Sequence, residues 1–395
     1  MPLPPAEVTP TLDAGAVTAL LGGRPRLLGL GEPTHGSDAL LRVRNDLFRQ
    51  LVEQEGYRTI AVESDCLTGL LVDEHVTSGA GDLDDVVEHG FSHGWGTSPA
   101  NRDLVRWMRA HNAGRAPAEQ VRFAGVDGPL EMAAAASPRG ALTALHDHLA
   151  ARLDTELLPC DASDLDRLLG PDERWTEPAA MFDPSRSVGT NPEVAELRLL
   201  TDDLTTLLDT EAPHLLATSS PEDGDRARLH ARTAAGLLRY HAAMADPSPQ
   251  RLARLCALRD AMMAANLLAL AERGPTLVHT HAAHLQRHRS SMMMGGQPLG
   301  WWSAGAITAT RLGEGYAHLA TAVGTIADHG VDAPPPDTLE GLLHALPGDR
   351  HVVDPARLVP HLDGVVRRVS PWFGYAPLDP THLDDPDGIV FVRDA

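Results

Sequence analysis

Leu27-Leu-Gly-Leu-Gly-Glu-Pro-Thr-His-Gly-Ser-Asp38 reads as a buried strand that ends in reactive side chains and runs into a helix. Leu27, Leu28 and Leu30 form a short apolar run, and Gly29 and Gly31 let neighbouring backbone approach closely. Glu32 and His35 come next, and Ser37 or Asp38 stands where a helix cap belongs. In open α/β sheets the reactive groups collect just past the carboxyl ends of strands, where a helix start also offers unpaired N–H groups. A carboxylate, an imidazole and a glycine turn at such a point predict a catalytic site. His35 is the candidate general base there, because an unperturbed imidazole titrates near neutrality.

Elsewhere in the chain, residues 59–64, 122–128 and 276–281 repeat the plan of 26–32: short, mostly apolar, ending in Glu63, Asp127, and His279 with His281. Between the first two strands, Leu40, Val43, Leu47, Leu51 and Val52 recur at helical spacing over 38–55 until Gly56 stops the helix. A helix of that length between two buried strands is a βαβ unit, so the sheet is predicted to be largely parallel. Its strand-end carboxylates and imidazoles would converge on one rim. Residues 316–325 and 388–393 read as further strands, and 331–337, with its three prolines, as a loop. The stretch 129–273 is almost all helical pattern, broken near Pro171, Pro184, Pro192, Pro213 and Pro221, with weak periodicity over 161–189 that predicts mobility. The expected fold class is therefore α/β: a largely parallel sheet flanked by helices, with a mostly helical insertion or lid. Residues 1–128 and 274–395 form the two parts of the core, and 129–273 the insertion.

Composition excludes several functions. All 33 basic residues are arginine, so lysine-based Schiff-base chemistry, a P-loop lysine and a Ser-Lys dyad are absent. A formal net charge of -21 argues against nucleic acid or an anionic membrane as partner. No apolar run approaches the length of a membrane span. The first residues, Met1-Pro-Leu-Pro-Pro, have neither the basic nor the apolar region of a secretory signal. Cys66, Cys160 and Cys256 lie far apart, which suits a reduced cytoplasmic setting.

Several constellations could carry chemistry. Glu63 can orient an imidazole, hold a water or bind a hydroxyl; a solvated loop carboxylate is the plainer explanation. His279-Thr-His-Ala-Ala-His-Leu-Gln-Arg-His288 is the densest imidazole cluster. If a helix starts near Ala282, His281, His284 and His288 share one face. That face, with Glu32 or Glu63, has the spacing to ligate zinc or another transition metal. Acid–base work or substrate binding would need the same residues, so no cofactor is assigned and a metal stays open. Gly90-Phe-Ser-His-Gly94 matches the nucleophile-elbow pattern, but that motif needs a strand before Ser92, where residues 82–89 read as helix. Phe91 and Trp95 read as core or pocket wall. Arg44, Arg259, Asp127 and Trp95 are the candidate substrate contacts, against surface charge and core as alternatives. Met292–Met294 and Trp301–Trp302 form an adaptable apolar patch.

Together these motifs resemble the erythromycin esterase family over nearly the whole chain. Gly31-Glu32-Pro33-Thr34-His35-Gly36 fits the family's GE-x-THG strand end, and Ala61-Val62-Glu63 its next acidic strand end. Phe123-Ala-Gly-Val-Asp127 fits F-x-G-x-D, and Arg259-Asp-Ala-Met-Met-Ala-Ala-Asn266 fits R-D-x-x-M-A-x-N. The resemblance implies an α/β core with helical additions, and hydrolysis of a macrolide lactone by a histidine-activated water. His35 would be the general base and Glu63 its acidic partner. Glu32 would hold base or water, and His284 or His281 would stabilise the oxyanion or protonate the leaving alkoxide. The family's A-H-N-x-H segment falls on Thr280-His281-Ala282-Ala283-His284, which keeps both histidines and puts Ala282 in place of asparagine. The expected partner is a small-molecule ester or lactone. A biosynthetic enzyme performing cyclisation, proton transfer or acyl transfer on a natural product, a metal-dependent hydrolase, and a non-catalytic binder of a small apolar ligand are the other classes. Neither the substrate nor the oligomeric state is legible.

Overall fold

Leu27–Glu32 is a strand (β1) buried at every position, as its apolar run requires of a strand covered on both faces. It is central in a seven-stranded sheet of β1, Thr59–Asp65 (β2), Arg122–Asp127 (β3), Thr276–His281 (β4), Tyr316–Thr325 (β5), Arg350–Val353 (β6) and Gly388–Asp394 (β7). The order is β6-β7-β5-β1-β4-β2-β3. β1 pairs in parallel with β4 and β5, β4 with β2, and β5 with β7. Among the registers described for this sheet, β6, too short to be read from sequence, is the one that pairs antiparallel, at the edge against β7. The fold is α/β with a largely parallel sheet and a helical insertion. This computed structural model describes residues 11–131, 134–294, 296–370, 372 and 374–395.

The Asp38–Gln54 helix packs its predicted stripe, Leu40, Val43, Leu47, Leu51 and Val52, into the core together with Phe48. Burying each such side chain contributes roughly 1.5–3 kcal/mol. Ser37 caps it by accepting from the Leu40 N–H at 3.4 Å, and Gly36, at φ +87, makes the turn between strand and helix. Chain continuity thus delivers Glu32, His35 and a helix start within one short stretch.

The chain divides into two units. One runs to Ser64 and takes in Thr68–Val126 and Leu267–Ala395; it holds the sheet apart from the ends of β2 and β3. The other is Asp65–Leu67 with Asp127–Asn266. Its core is built by the helices Arg139–Ala150, Ala162–Leu169, Pro192–Thr210 and Pro221–Met244. Pro184, Pro192, Pro213 and Pro221, which read as breaks, each sit in the first turn of a helix or 3-10 turn, where a missing N–H costs nothing. Residues 161–189 carry one helix and a series of short 3-10 turns, which explains their weak periodicity.

Two local expectations are corrected or sharpened. No α-helix starts at Ala282: Ala282–His284 is a single 3-10 turn, and the chain then enters an antiparallel hairpin of Arg289–Met294 and Gln297–Trp302. The methionines and tryptophans of the apolar patch belong to this hairpin, with Trp301 buried and Met293 and Trp302 exposed. Phe91, read as core or pocket wall, is core, edge-on to Phe123.

Candidate active site

Three adjacent strand ends supply the site. Because β4 lies between β1 and β2, and Glu32 is in register with His281, the sheet sets carboxylate, imidazole and carboxylate side by side. Glu32 ends β1, His279 and His281 end β4, and Glu63 lies near the end of β2. His35 comes back over them from the turn after β1. Its Nδ1 meets Glu32 Oε1 at 2.5 Å, and its Nε2 lies 3.7 Å from Glu63 Oε1. His284 Nε2 stands 3.4 Å from the same Glu63 oxygen, and the His281 backbone N–H donates to Glu63 Oε2 at 2.8 Å. His279 donates from Nδ1 to the Leu30 carbonyl at 3.0 Å and places Nε2 3.4 Å from Glu32 Oε2. Glu32, Glu63, His279 and His284 are all buried, whereas a third of the His35 side chain is exposed. His35 is therefore more open to an incoming molecule than these four.

The surroundings of His35 favour its charged form. Burial opposes its charge, but the Glu63 carboxylate and the hydrogen bond to Glu32 prevail and raise the imidazole to about 10. Glu63 and Glu32 are held well below the usual carboxylate range: burial resists, and their histidine neighbours outweigh it. Arg44 is 2 % exposed and gives hydrogen bonds from Nε and Nη2 to Asn45 and from Nη2 to Asn101. Burial lowers it to about 10, with Glu32 and Asp38 favouring its charge, so it stays cationic at neutral pH. Two carboxylates facing an imidazolium and a guanidinium make a balanced buried set, the condition under which such charges are tolerated. As placed, Arg44 acts on the site by charge.

His281 has both ring nitrogens engaged: Nε2 donates to the Gly374 carbonyl at 2.9 Å and Nδ1 accepts from the Ala283 N–H at 3.2 Å. Burial and the nearby His35 cation push it down to about 4, so it is neutral. Trp95 packs its ring 4.9 Å from that of His35 and ties its Nε1–H to the Glu63 carbonyl at 3.0 Å. Asp127 and Arg259 belong to the other unit, where the buried Asp127 carboxylate takes Arg259 Nε and Nη2 at 2.9 and 2.7 Å. His288 does not join His281 and His284. Without the helix it turns to Asp385, at 2.6 Å, and stacks on His382. Among the described residues, no group of three or more His, Cys, Asp or Glu has a metal-holding arrangement.

Ser92 comes after the Leu83–Gly90 helix, so the strand that an elbow demands is missing; its N–H bonds the Ser64 hydroxyl at 2.9 Å. Ser92→Ala is expected to leave steady-state turnover within about twofold of wild type, since a serine outside the strained strand-to-helix turn is not presented as a nucleophile. Sequence reasoning saw His279 as a strand end without assigning it a role. It missed entirely that Trp372 donates to the Thr34 hydroxyl and that Gly374 receives His281.

A family model described as erythromycin esterase matches residues 52–387. No curated protein matches the sequence. Among solved structures, a protein from Bacillus cereus is similar with a TM-score of 0.75 at 17% identity, over 99% of this chain and 95% of its own. A succinoglycan biosynthesis protein gives 0.73 at 16% identity over 99% and 95%. A mutant of the erythromycin esterase EreC in its open conformation gives 0.68 at 18% identity, over 96% and 92%. At these identities the structures speak for the fold alone.

Proposed function

The chain belongs to the erythromycin esterase family, and on that basis we propose that it hydrolyses a carboxylic ester or macrolactone with a water activated by His35. The observation that supports this most directly is His35 itself, exposed in part and set between Glu32 and Glu63 at three converging strand ends. In the neutral form of His35, Glu32 fixes the ring by accepting from Nδ1–H, which leaves Nε2 to take a proton from water. The water oxygen attacks the acyl carbon, and the imidazolium so formed is stabilised by both carboxylates. That proton then passes to the departing alkoxide as the acyl–oxygen bond breaks, which returns His35 to its starting state. His284, facing the same Glu63 oxygen, is the group assigned to the oxyanion or leaving group; His281, with both nitrogens bound to backbone, serves as an organiser. Backbone N–H groups at the start of the Asp38–Gln54 helix could add roughly 3–4 kcal/mol of oxyanion stabilisation. Trp95 offers an apolar wall. No metal enters this scheme.

Incubating chelator-treated protein with a panel of esters and macrolactones and weighing the products tests it. Ring-opened or cleaved product with one added water is the expected result; a requirement for restored metal, or no product from folded protein, would count against it. A second reading, cyclisation or acyl transfer in natural-product biosynthesis, is favoured by Ala282, which removes an amide from beside the site. It predicts a product formed without net addition of water.

The pH dependence comes from the charge balance. A base must be neutral to accept a proton, and His35 is raised to about 10. kcat/KM, which reports the free enzyme, is therefore expected to keep rising through neutral and alkaline pH rather than level off near the ordinary histidine value of about 6.5. A plateau beginning at about pH 7, close to that ordinary value, would show that the two carboxylates do not raise the His35 imidazole in the free enzyme.

A further inference from the structure

Residues 368–378 form neither helix nor strand where described, yet several of the described ones are tied to the rest of the fold. At one end Arg368, 3 % exposed, donates to the carbonyls of Val323 at 2.7 Å, Gly324 at 2.9 Å and Asp332, and to the Tyr375 hydroxyl at 2.9 Å. At the other, the Leu378 N–H donates to the buried Glu340 at 2.9 Å. Between these anchors three contacts reach the site. Trp372 Nε1–H donates to the Thr34 hydroxyl at 3.0 Å, Gly374 accepts from His281 Nε2, and the Ala376 N–H donates to the Pro33 carbonyl at 2.6 Å. Trp372 also stacks on His329, ring centroids 4.4 Å apart, and His329 in turn lies against Gly36. Pro33, Thr34 and Gly36 belong to the turn that carries His35.

Burying a guanidinium is costly unless it is hydrogen-bonded, and the four acceptors that offset the cost here also fix the position of the irregular segment that carries it. We propose that this strap is a positioning element of the active site, with Arg368 its pin. The strap fixes the His281 ring through the Gly374 carbonyl; the His281 backbone N–H then fixes Glu63, the carboxylate that faces both His35 and His284. Through Pro33 and Thr34 it also holds the turn that carries His35. Arg368 touches no reacting atom in this scheme. It rests on the hydrolase reading for its consequence in turnover, but the ordering of His281 stands or falls independently of that reading.

The test is long-range proton–nitrogen NMR of the histidine rings in the full chain, run on wild type, Arg368→Ala, Arg368→Lys and Trp372→Ala. In wild type the His281 signals should show one tautomer, protonated at Nε2. Arg368→Ala should give a mixture of tautomers, with Arg368→Lys restoring most of the wild-type pattern. Because losing a buried arginine can unfold a protein, Trp372→Ala, which removes a 40 % exposed ring and one tie to Thr34, is the second variant. It should loosen the same His281 signals in protein whose thermal transition is unchanged. A single unaltered His281 tautomer in Trp372→Ala and in any folded Arg368→Ala would overturn the proposal. Where an ester is turned over, kcat should fall roughly tenfold in Arg368→Ala with KM nearly constant, as expected when a catalytic group is displaced without loss of ground-state binding. Absence of turnover in wild type bears on the hydrolase reading alone.

Discussion

His35→Ala is expected to lower kcat/KM for ester hydrolysis by roughly 10²–10⁴-fold, the span that positioned acid–base catalysis supplies. Within the strand-end cluster, His35 alone combines partial exposure with contacts to both carboxylates. The protein should remain folded, because the side chain belongs to none of the apolar clusters described and the turn that bears it is fixed by Gly36 and the Ser37 cap. Circular dichroism and a cooperative thermal transition check the fold, and initial rates on the best ester of the panel check the loss. Activity within about tenfold of wild type, well short of that span, would remove His35 from the mechanism. The same residue marks stability. A folded value above the ordinary one means that His35 contributes stability fully present below about pH 6.5. That contribution is lost as pH rises through about 10. Glu32 and Glu63, held low, contribute stability present above their ordinary value of about 4.3 and lost on acidification.

Glu63→Gln tests the carboxylate that three histidines share. The amide keeps an oxygen for the His281 N–H but removes the charge facing His35 and His284. The imidazolium formed during turnover then loses a stabilising partner, and kcat should fall by roughly 10²-fold. The same loss lowers the His35 value, because the Glu63 charge is the largest influence raising it. The rising limb of kcat/KM should accordingly move to lower pH by roughly 1–3 units, the usual effect of removing an adjacent opposite charge. A rate loss without this displacement would mean that Glu63 binds substrate and does not tune the base.

The two effects separate local from distant information. The apolar run of 27–32, the helix stripe from Leu40 to Val52, and the capped turn bearing His35 were legible because each depends on neighbours within a few residues. The run 276–281 was equally plain as a strand, but the path of residues 282–302 was not. Spacing alone allowed a helix carrying His281, His284 and His288. The chain instead makes one 3-10 turn, because Ser290 and Ser303 bond the carbonyls of Ala283 and Gln286 and because Asp385 takes the Arg287 N–H and the His288 ring. The Asp385 carboxylate lies 98 residues beyond Arg287, and no periodicity encodes it.

The α/β class, the parallel core, the strand ends that carry Glu32, Glu63 and the histidines, and the absence of any lysine chemistry could all be read from the order of residues. Backbone period, burial pattern and capping are local properties, so they survive in one dimension. That β4 inserts between β1 and β2, setting the two carboxylates on either side of the imidazoles, emerged only from the folded chain. So did the cationic state of His35 and the securing of His281 by residues from the far end of the molecule. Charge balance and hydrogen-bond pairing depend on distances of a few ångströms between segments as much as 338 residues apart, as Thr34 and Trp372 are. Those distances exist only once the chain has folded.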